Sequence, residues 1–352
     1  MPIEKMIQLT FGIIDLIFCS TDFLSSFVFM QIGMRKIKIK FVDFWKSFNP
    51  SDNYFINTLK SQLDIELSDE PDILFFSFFG NEHFKFNCHK ILFLGENAAP
   101  DFRIADYAIS FDYLQQSNHL RLPLYVTMFE ETGSLNKLLL PKSPNELDDL
   151  IKAKEGFCSF VVSSKDTKSR IDFFHHLSTY KQVSSGGAVL NNVGGRVVDK
   201  LAFIAKYKFN IAFENAIYPG YVTEKLIEAK QAGTVPVYCG NPRIAEEMNP
   251  KSFINYHDYN SFKKLLERVK EVDNNDDLYK QYLAAPLFYN NQPNQYFNKD
   301  LLVNFFQQVV AALPTKTAVS NSLQYKITKL PLVYKFTKHK SRKNVIPYRP
   351  DW

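Results

Sequence analysis

An α/β fold built on parallel sheets is the reading of this 352-residue chain, and three observations carry it. Short apolar runs alternate with polar helical stretches along most of its length. One stretch, 213–240, reads as strand end, loop, helix and second buried run, the order of a βαβ unit. The segment 137–145, with Pro141 and Pro144, reads as a linker between two alternating blocks. Parallel sheets with crossover helices suit this alternation because each helix covers one sheet face. The length is enough for two α/β domains of ordinary size.

In chain order, 37–44 is a strand with period-two character, 73–79 a buried strand and 90–94 a third. The second block opens with a strand over 157–163 and a helix over 169–180. A glycine-rich loop over 184–195 and a helix over 199–206 follow. Then the apolar residues Phe209, Ile211, Ala212 and Phe213 stop at the polar pair Glu214-Asn215. A loop holding Pro219 and Gly220 leads to a helix over 223–232 and a strand over 234–238. A short strand over 253–255 and an amphipathic helix over 259–272 close the block. Thr223 is the expected N-cap, which puts Glu224 and Lys225 in the first turn. A lysine there opposes the helix dipole by roughly a few tenths of a kcal/mol. An anion docked at the same helix end reverses that penalty. In an open parallel sheet, ligands collect at the carboxyl ends of the strands.

A net charge of +5 favours anions without suggesting a nucleic-acid binder. The four cysteines (Cys19, Cys88, Cys158, Cys239) have no CxxC spacing and sit in or beside apolar runs. They read as thiols of a reducing compartment. Asn49-Pro50-Ser51 is the one Asn-x-Ser/Thr site, and its proline blocks modification, so a cytoplasmic enzyme is expected. Residues 1–33 form an apolar extension. Within 11–32 the apolar side chains, at about −0.5 kcal/mol each, are offset by Asp15 and Asp22 at up to about +3 each, so a spanning helix is marginal. The C-terminal part, 301–352, is read as a helix and a basic tail. From 323 on, Lys326, Lys329, Lys335, Lys338, Lys340, Arg342, Lys343 and Arg349 face one acid, Asp351. Either a solvated basic end or peripheral attachment to the inner face of an anionic membrane fits, at about 1 kcal/mol per basic residue in the second case.

The segment FENAIYPGYVTEKLIEAKQAGTVPVYCG, 213–240, resembles the donor-binding signature of the α1,3/4-fucosyltransferases of bacterial type, glycosyltransferase family 10. LGEN followed by AAPDF resembles the family's GEN…PNF segment, and the stretch with Arg170 resembles its SN…R…F segment. The matches stand in the family's order and span roughly 36–290. The resemblance implies a GT-B fold of two Rossmann-like domains facing each other across a cleft: an acceptor-side domain over 34–145 and a GDP-fucose-binding domain over 146–300. It also implies an inverting transfer of L-fucose from GDP-fucose to the 3-OH or 4-OH of GlcNAc or Glc in lactosamine-type, Lewis-type glycans, in which a lipid-linked acceptor would suit the basic tail.

Inverting transfer needs a base for the acceptor hydroxyl, cations for the departing diphosphate and a positioned sugar. By the resemblance Glu96 is the base, and Arg170 and Lys225 hold the diphosphate. Asn215 and Glu224 bond the ribose or fucose, and Tyr221 contacts the nucleotide. Lys165 and Lys168 are basic neighbours of Arg170, and Gly186, Gly187 and Asn191 resemble a segment near the nucleotide. Ala216 and Pro219 depart from the family pattern. By themselves these residues also read as turn formers, helix starts and packing aromatics. No Asp-x-Asp motif and no histidine cluster suggests a metal, so no metal and no cofactor beyond the GDP-fucose co-substrate is expected. Two other readings fit the same residues: a GT-B enzyme using another nucleotide sugar, separable by donor competition, and a non-catalytic glycan or nucleotide binder, separable by binding of GDP without transfer.

Overall fold

The computed structural model describes residues 36–164, 167–313 and 317–328. The apolar extension at 1–33, Lys165 and the basic tail past 328 lie outside the described residues. Strands β1 (Ile37–Val42), β2 (Ile65–Leu67), β3 (Ile73–Phe76), β4 (His89–Leu94), β5 (Tyr107–Ser110) and β6 (His119–Arg121) form a six-stranded sheet of order β2-β1-β3-β4-β5-β6. Strands β7 (Gly156–Phe160), β8 (Val183–Ser185), β9 (Tyr207–Phe213), β10 (Val235–Cys239) and β11 (Ile254–Asn255) form a second sheet of order β11-β10-β9-β7-β8. β1 pairs in parallel with β2 and β3, β3 with β4 and β5 with β6. In the second sheet β9 pairs in parallel with β7 and β10, β7 with β8 and β10 with β11. The expected α/β class with parallel sheets is what the chain adopts.

Chain contacts define two compact units. Among the described residues, one takes 36–92, Phe102–Tyr107 and the chain from Lys299 to 328. The other takes Phe93–Asp101 and Ala108–Asn298. In the first unit, Ile39, Ile73, Leu74 and Phe75 are fully buried, and the helix Asp300–Ala312 stacks Phe306 on Phe75 at 5.9 Å. Burying such side chains supplies roughly 1.5–3 kcal/mol each, which is why the sheet needs that helix. β1 and β3 stop earlier than their aromatic pattern suggests. Asp43 takes a left-handed φ of 60° and ends β1, and its carboxylate accepts the N–H groups of Glu82 and His83, both at 2.9 Å. The Phe79 N–H then turns back to the Asp43 carbonyl at 3.0 Å, ending β3 short of 79.

The second unit packs the helices Lys168–Ser178, Lys225–Gln231 and Phe262–Asp273 on its sheet, over a core that includes Phe160, Phe173, Phe209, Phe213 and Val237. Segment 137–145 is mostly helix. The helix Leu135–Leu139 ends there, and Pro144–Lys152 starts on a capping box in which Ser143 and Glu146 bond each other's backbone N–H. The proline at the first helical position lacks an N–H that would have been unpaired anyway. The short strands β2, β5, β6 and β8 are ones the apolar pattern did not reveal.

Candidate functional site

β4 delivers the first residue. Its six residues are all buried, and the chain leaves the strand through Gly95, where an added Cβ would lie 2.9 Å from Leu124 Cδ1. Glu96 follows, half-buried, in a tight turn closed by the Ala98 N–H on the Glu96 carbonyl at 2.7 Å. Its Oε2 accepts the hydroxyl of Tyr221 at 2.9 Å.

β9 delivers the rest. The strand runs buried to Phe213 and ends on Glu214, whose side chain is 0% exposed. A carboxylate there needs partners, because an unpaired buried charge is very costly. Glu214 accepts the Thr223 N–H at 2.8 Å, the Thr223 hydroxyl at 2.6 Å and the Lys225 ammonium at 3.3 Å. Lys225 Nζ also donates to Thr223 Oγ1 at 2.8 Å and Glu224 Oε1 at 3.2 Å. Thr223 is therefore not the helix cap. Its hydroxyl is drawn to Glu214, and the helix Lys225–Gln231 begins after Glu224 without a side-chain cap. With only seven residues that helix is a weak dipole, and the field at Lys225 is set by the two carboxylates.

The charges are coupled. Burial alone would depress the Lys225 ammonium, but Glu214 and Glu224 overcome it and hold its pKa above the usual lysine value, with Glu96 adding in the same direction. Burial would raise Glu224, yet Lys225 and Lys200 bring it down to about 2. Glu214 goes the other way: complete burial raises it, and the attraction of Lys225 only partly offsets that. The two carboxylates diverge because Glu214 is completely enclosed, whereas Glu224 has a second lysine, Lys200, beside it.

Tyr221 was expected to contact a nucleotide. Its side chain has no surface to do so: the residue is 0% exposed, its ring packs on Phe111 at 5.1 Å, and its hydroxyl is taken by Glu96. Arg170, expected to face a diphosphate, is 1% exposed. Nη1 donates to Asn215 Oδ1 and Nη2 to the Ser164 carbonyl, both at 2.7 Å. Its guanidinium holds Asn215 in place, and the Asn215 carbonyl also accepts the Thr167 hydroxyl at 3.0 Å. Lys168 is exposed. Gly187 is required by packing, since an added Cβ would lie 2.1 Å from the Val162 carbonyl oxygen. Asn191 Nδ2 stitches that loop by donating to the carbonyls of Gly187 and Gly195, both at 2.8 Å.

One compact unit thus brings Glu96, Tyr221, Glu224 and Lys225 together and joins them to Arg170 and Asn215 through the adjacent Glu214. Glu214 is the residue that sequence reasoning missed. Its signal was a carboxylate directly after a run that reads as a fully buried strand. Glu224 also borders a cavity of about 280 Å³, walled by Met128, Phe129 and Leu201 and by the hydroxyl residues Thr132 and Ser134. Among the described residues no group of three or more His, Cys, Asp or Glu side chains is placed to hold a metal.

Two family models match the chain: "Alpha-(1,3)-fucosyltransferase FucT N-terminal domain" over 39–128 and "Glycosyltransferase family 10 (fucosyltransferase) C-term" over 151–324. Among similar proteins, the alpha-(1,3)-fucosyltransferase FucT of Helicobacter pylori is 31% identical over 327 residues, which is 82% of this chain and 67% of that protein. The 4-galactosyl-N-acetylglucosaminide 3-alpha-L-fucosyltransferase 9 of Homo sapiens is 36% identical over 137 residues, 38% of this chain and 37% of its own length. A crystal structure of an alpha1,3-fucosyltransferase with GDP-fucose aligns with a TM-score of 0.66 at 26% identity, covering 80% of this chain and 92% of that one.

Proposed function

The chain belongs to glycosyltransferase family 10, the fucosyltransferases, and from that premise we propose that Glu96 and Lys225 carry an inverting transfer of L-fucose from GDP-fucose to the 3-OH, or 4-OH, of a lactosamine-type GlcNAc or Glc. Its fold is GT-B, with two Rossmann-like parallel sheets and their helices. The single observation behind the residue assignment is the Glu96 carboxylate bonded to Tyr221 beside the Lys225 cluster, within one compact unit.

In this reading the acceptor hydroxyl gives its proton to Glu96 as its oxygen bonds fucose C1, and the bond from C1 to the phosphate oxygen breaks with its electron pair leaving on GDP. Lys225 receives the developing charge on the diphosphate. It is a fixed ammonium whose neighbours keep it protonated. Glu224, ionised through the whole working range, accepts ribose or sugar hydroxyls. Asn215, held by Arg170, presents its remaining amide to the donor. Lys225 in the diphosphate role suits a reaction that runs without a divalent metal.

In this reading acceptor handling falls to residues 34–145 and donor binding to residues 146–300, a division by role that does not follow the two compact units. Lewis-type glycans, whether lipopolysaccharide-linked or on protein, are the acceptor class. A cytoplasmic setting is part of the same reading. Peripheral attachment by the basic tail suits a lipid-linked acceptor. Among the described residues no helix is long and apolar enough to cross a membrane.

The test is to incubate the protein with GDP-fucose and both type 1 and type 2 lactosamine acceptors, then read the linkage by NMR. An α-linked fucose on the 3-OH or 4-OH is expected. GDP binding without transfer to either acceptor would overturn the reading, and a preference for another nucleotide sugar in competition would replace the donor.

A further inference from the structure

Among the described residues the Tyr221 hydroxyl has one partner, Glu96 Oε2 at 2.9 Å, and the phenol that carries it is completely enclosed. A series of buried contacts fixes it. Gly220, just before it, takes a φ of 82°, and an added Cβ would lie 2.5 Å from the Phe111 carbonyl oxygen, so only glycine fits the turn. The Gly220 N–H donates to Asn241 Oδ1 at 2.8 Å, and Asn241 Nδ2 donates to Glu247 Oε1 at 3.3 Å. The Glu247 carboxylate also accepts Arg121 Nη2 at 2.7 Å and the hydroxyls of Tyr113 and Tyr125, both at 2.9 Å. These links form a rigid bracket that ends on Glu96.

At the far end of the bracket, Glu96 sits on a half-buried turn with a long rotatable side chain. Among the described residues its Oε1 has no hydrogen-bond partner, while Oε2 has Tyr221. A base is useful only when its free oxygen points at the proton it removes, and misplacement by about 1 Å can cost about a hundredfold in rate.

We infer that Tyr221 is a positioning residue for Glu96: its hydroxyl holds Oε2 so that Oε1 is the oxygen left to receive the acceptor proton. The inference rests on the reading of Glu96 as the base. Burial, with the carboxylates of Glu214 and Glu96 beside it, pushes the Tyr221 hydroxyl far above its ordinary pKa, so it remains a donor across the working range.

The experiment is a cycle of Tyr221→Phe and Glu96→Gln. Tyr221→Phe keeps the ring and its packing and removes one oxygen. Its kcat should fall about ten- to a hundredfold, with the donor KM and the GDP Kd within about twofold of wild type. In the Glu96→Gln background the same substitution should lower the residual rate by no more than about twofold. A raised donor KM or GDP Kd with kcat intact, or a full multiplicative loss in the glutamine background, would overturn the inference. If Glu96→Gln alone keeps the wild-type kcat, the base assignment itself fails, which is a distinguishable outcome. Should Tyr221→Phe fail to fold, Asn241→Ala loosens the bracket without touching either residue. It should lower kcat in the Glu96 enzyme and leave the residual rate of Glu96→Gln unchanged; an equal loss in both would again overturn the inference.

Discussion

Replacing Lys225 by methionine probes the charge cluster directly, because it removes the ammonium and keeps most of the side chain's bulk. The Glu214 side chain is 0% exposed and Lys225 16%, so the substitution strands a carboxylate out of reach of water. Removing one partner of a buried ion pair costs about 3–5 kcal/mol. The lower end applies here, since Thr223 still gives Glu214 two hydrogen bonds and the lysine head is not fully enclosed. At roughly 2–4 °C per kcal/mol, the ligand-free protein should melt on the order of 10 °C lower. The loss should also depend on pH. Burial already raises Glu214 above its ordinary carboxylate value, and Lys225 is what restrains it. Without the lysine the folded pKa rises further. Between the unfolded value and that folded value, the folded state binds more protons, so stability falls as pH rises through the window. The gap between variant and wild type should therefore shrink toward pH about 5 and widen toward pH about 8. Thermal or urea melts across that range measure it. Adding Glu214→Gln to Lys225→Met should recover most of the loss, because a neutral amide still accepts the Thr223 N–H. A loss below about 1 kcal/mol that is flat with pH would refute the account of Glu214 as the buried counter-charge.

Glu96→Ala should lower turnover by about two to four orders of magnitude with GDP binding nearly intact, measured by fucosyl transfer and calorimetry. Arg170→Ala should weaken GDP-fucose binding and stability together, because Asn215 and the Ser164 carbonyl lose their donor; an unchanged Kd would show that Asn215 needs no such support. Exhaustive chelation should leave activity intact, and a loss restored only by Mn²⁺ or Mg²⁺ would contradict metal independence. Truncation at about Asn321 should abolish binding to anionic vesicles if the basic tail is a membrane anchor, at about 1 kcal/mol per basic residue removed; no binding by the intact chain removes the idea.

Much of the site was legible because its chemistry is local in the chain. Glu214, Thr223, Glu224 and Lys225 fall within one strand-loop-helix passage, and an abrupt polar pair after a buried run marks the strand's carboxyl end. The direction in which each side chain points was not legible. Arg170 and Tyr221 read as ligand-facing groups by type and position, yet one turns inward to Asn215 and the other to Glu96. Thr223 has a good cap residue's chemistry, but its hydroxyl donates to the buried Glu214 carboxylate and its oxygen accepts the Lys225 ammonium instead of a backbone N–H.

The primary structure alone determined the α/β class, the parallel order implied by the βαβ passage and the residue types at the strand ends. These depend on periodicity and on chemistry carried by neighbouring residues. Tertiary structure decided which carboxylate is buried, which is held by a phenol and which keeps a free oxygen. Glu96 and Tyr221 are 125 positions apart, and nothing in local pattern records that distant groups meet at 2.9 Å. Burial and long-range contact set the protonation and aim of each group, and both arise only when the chain has closed on itself.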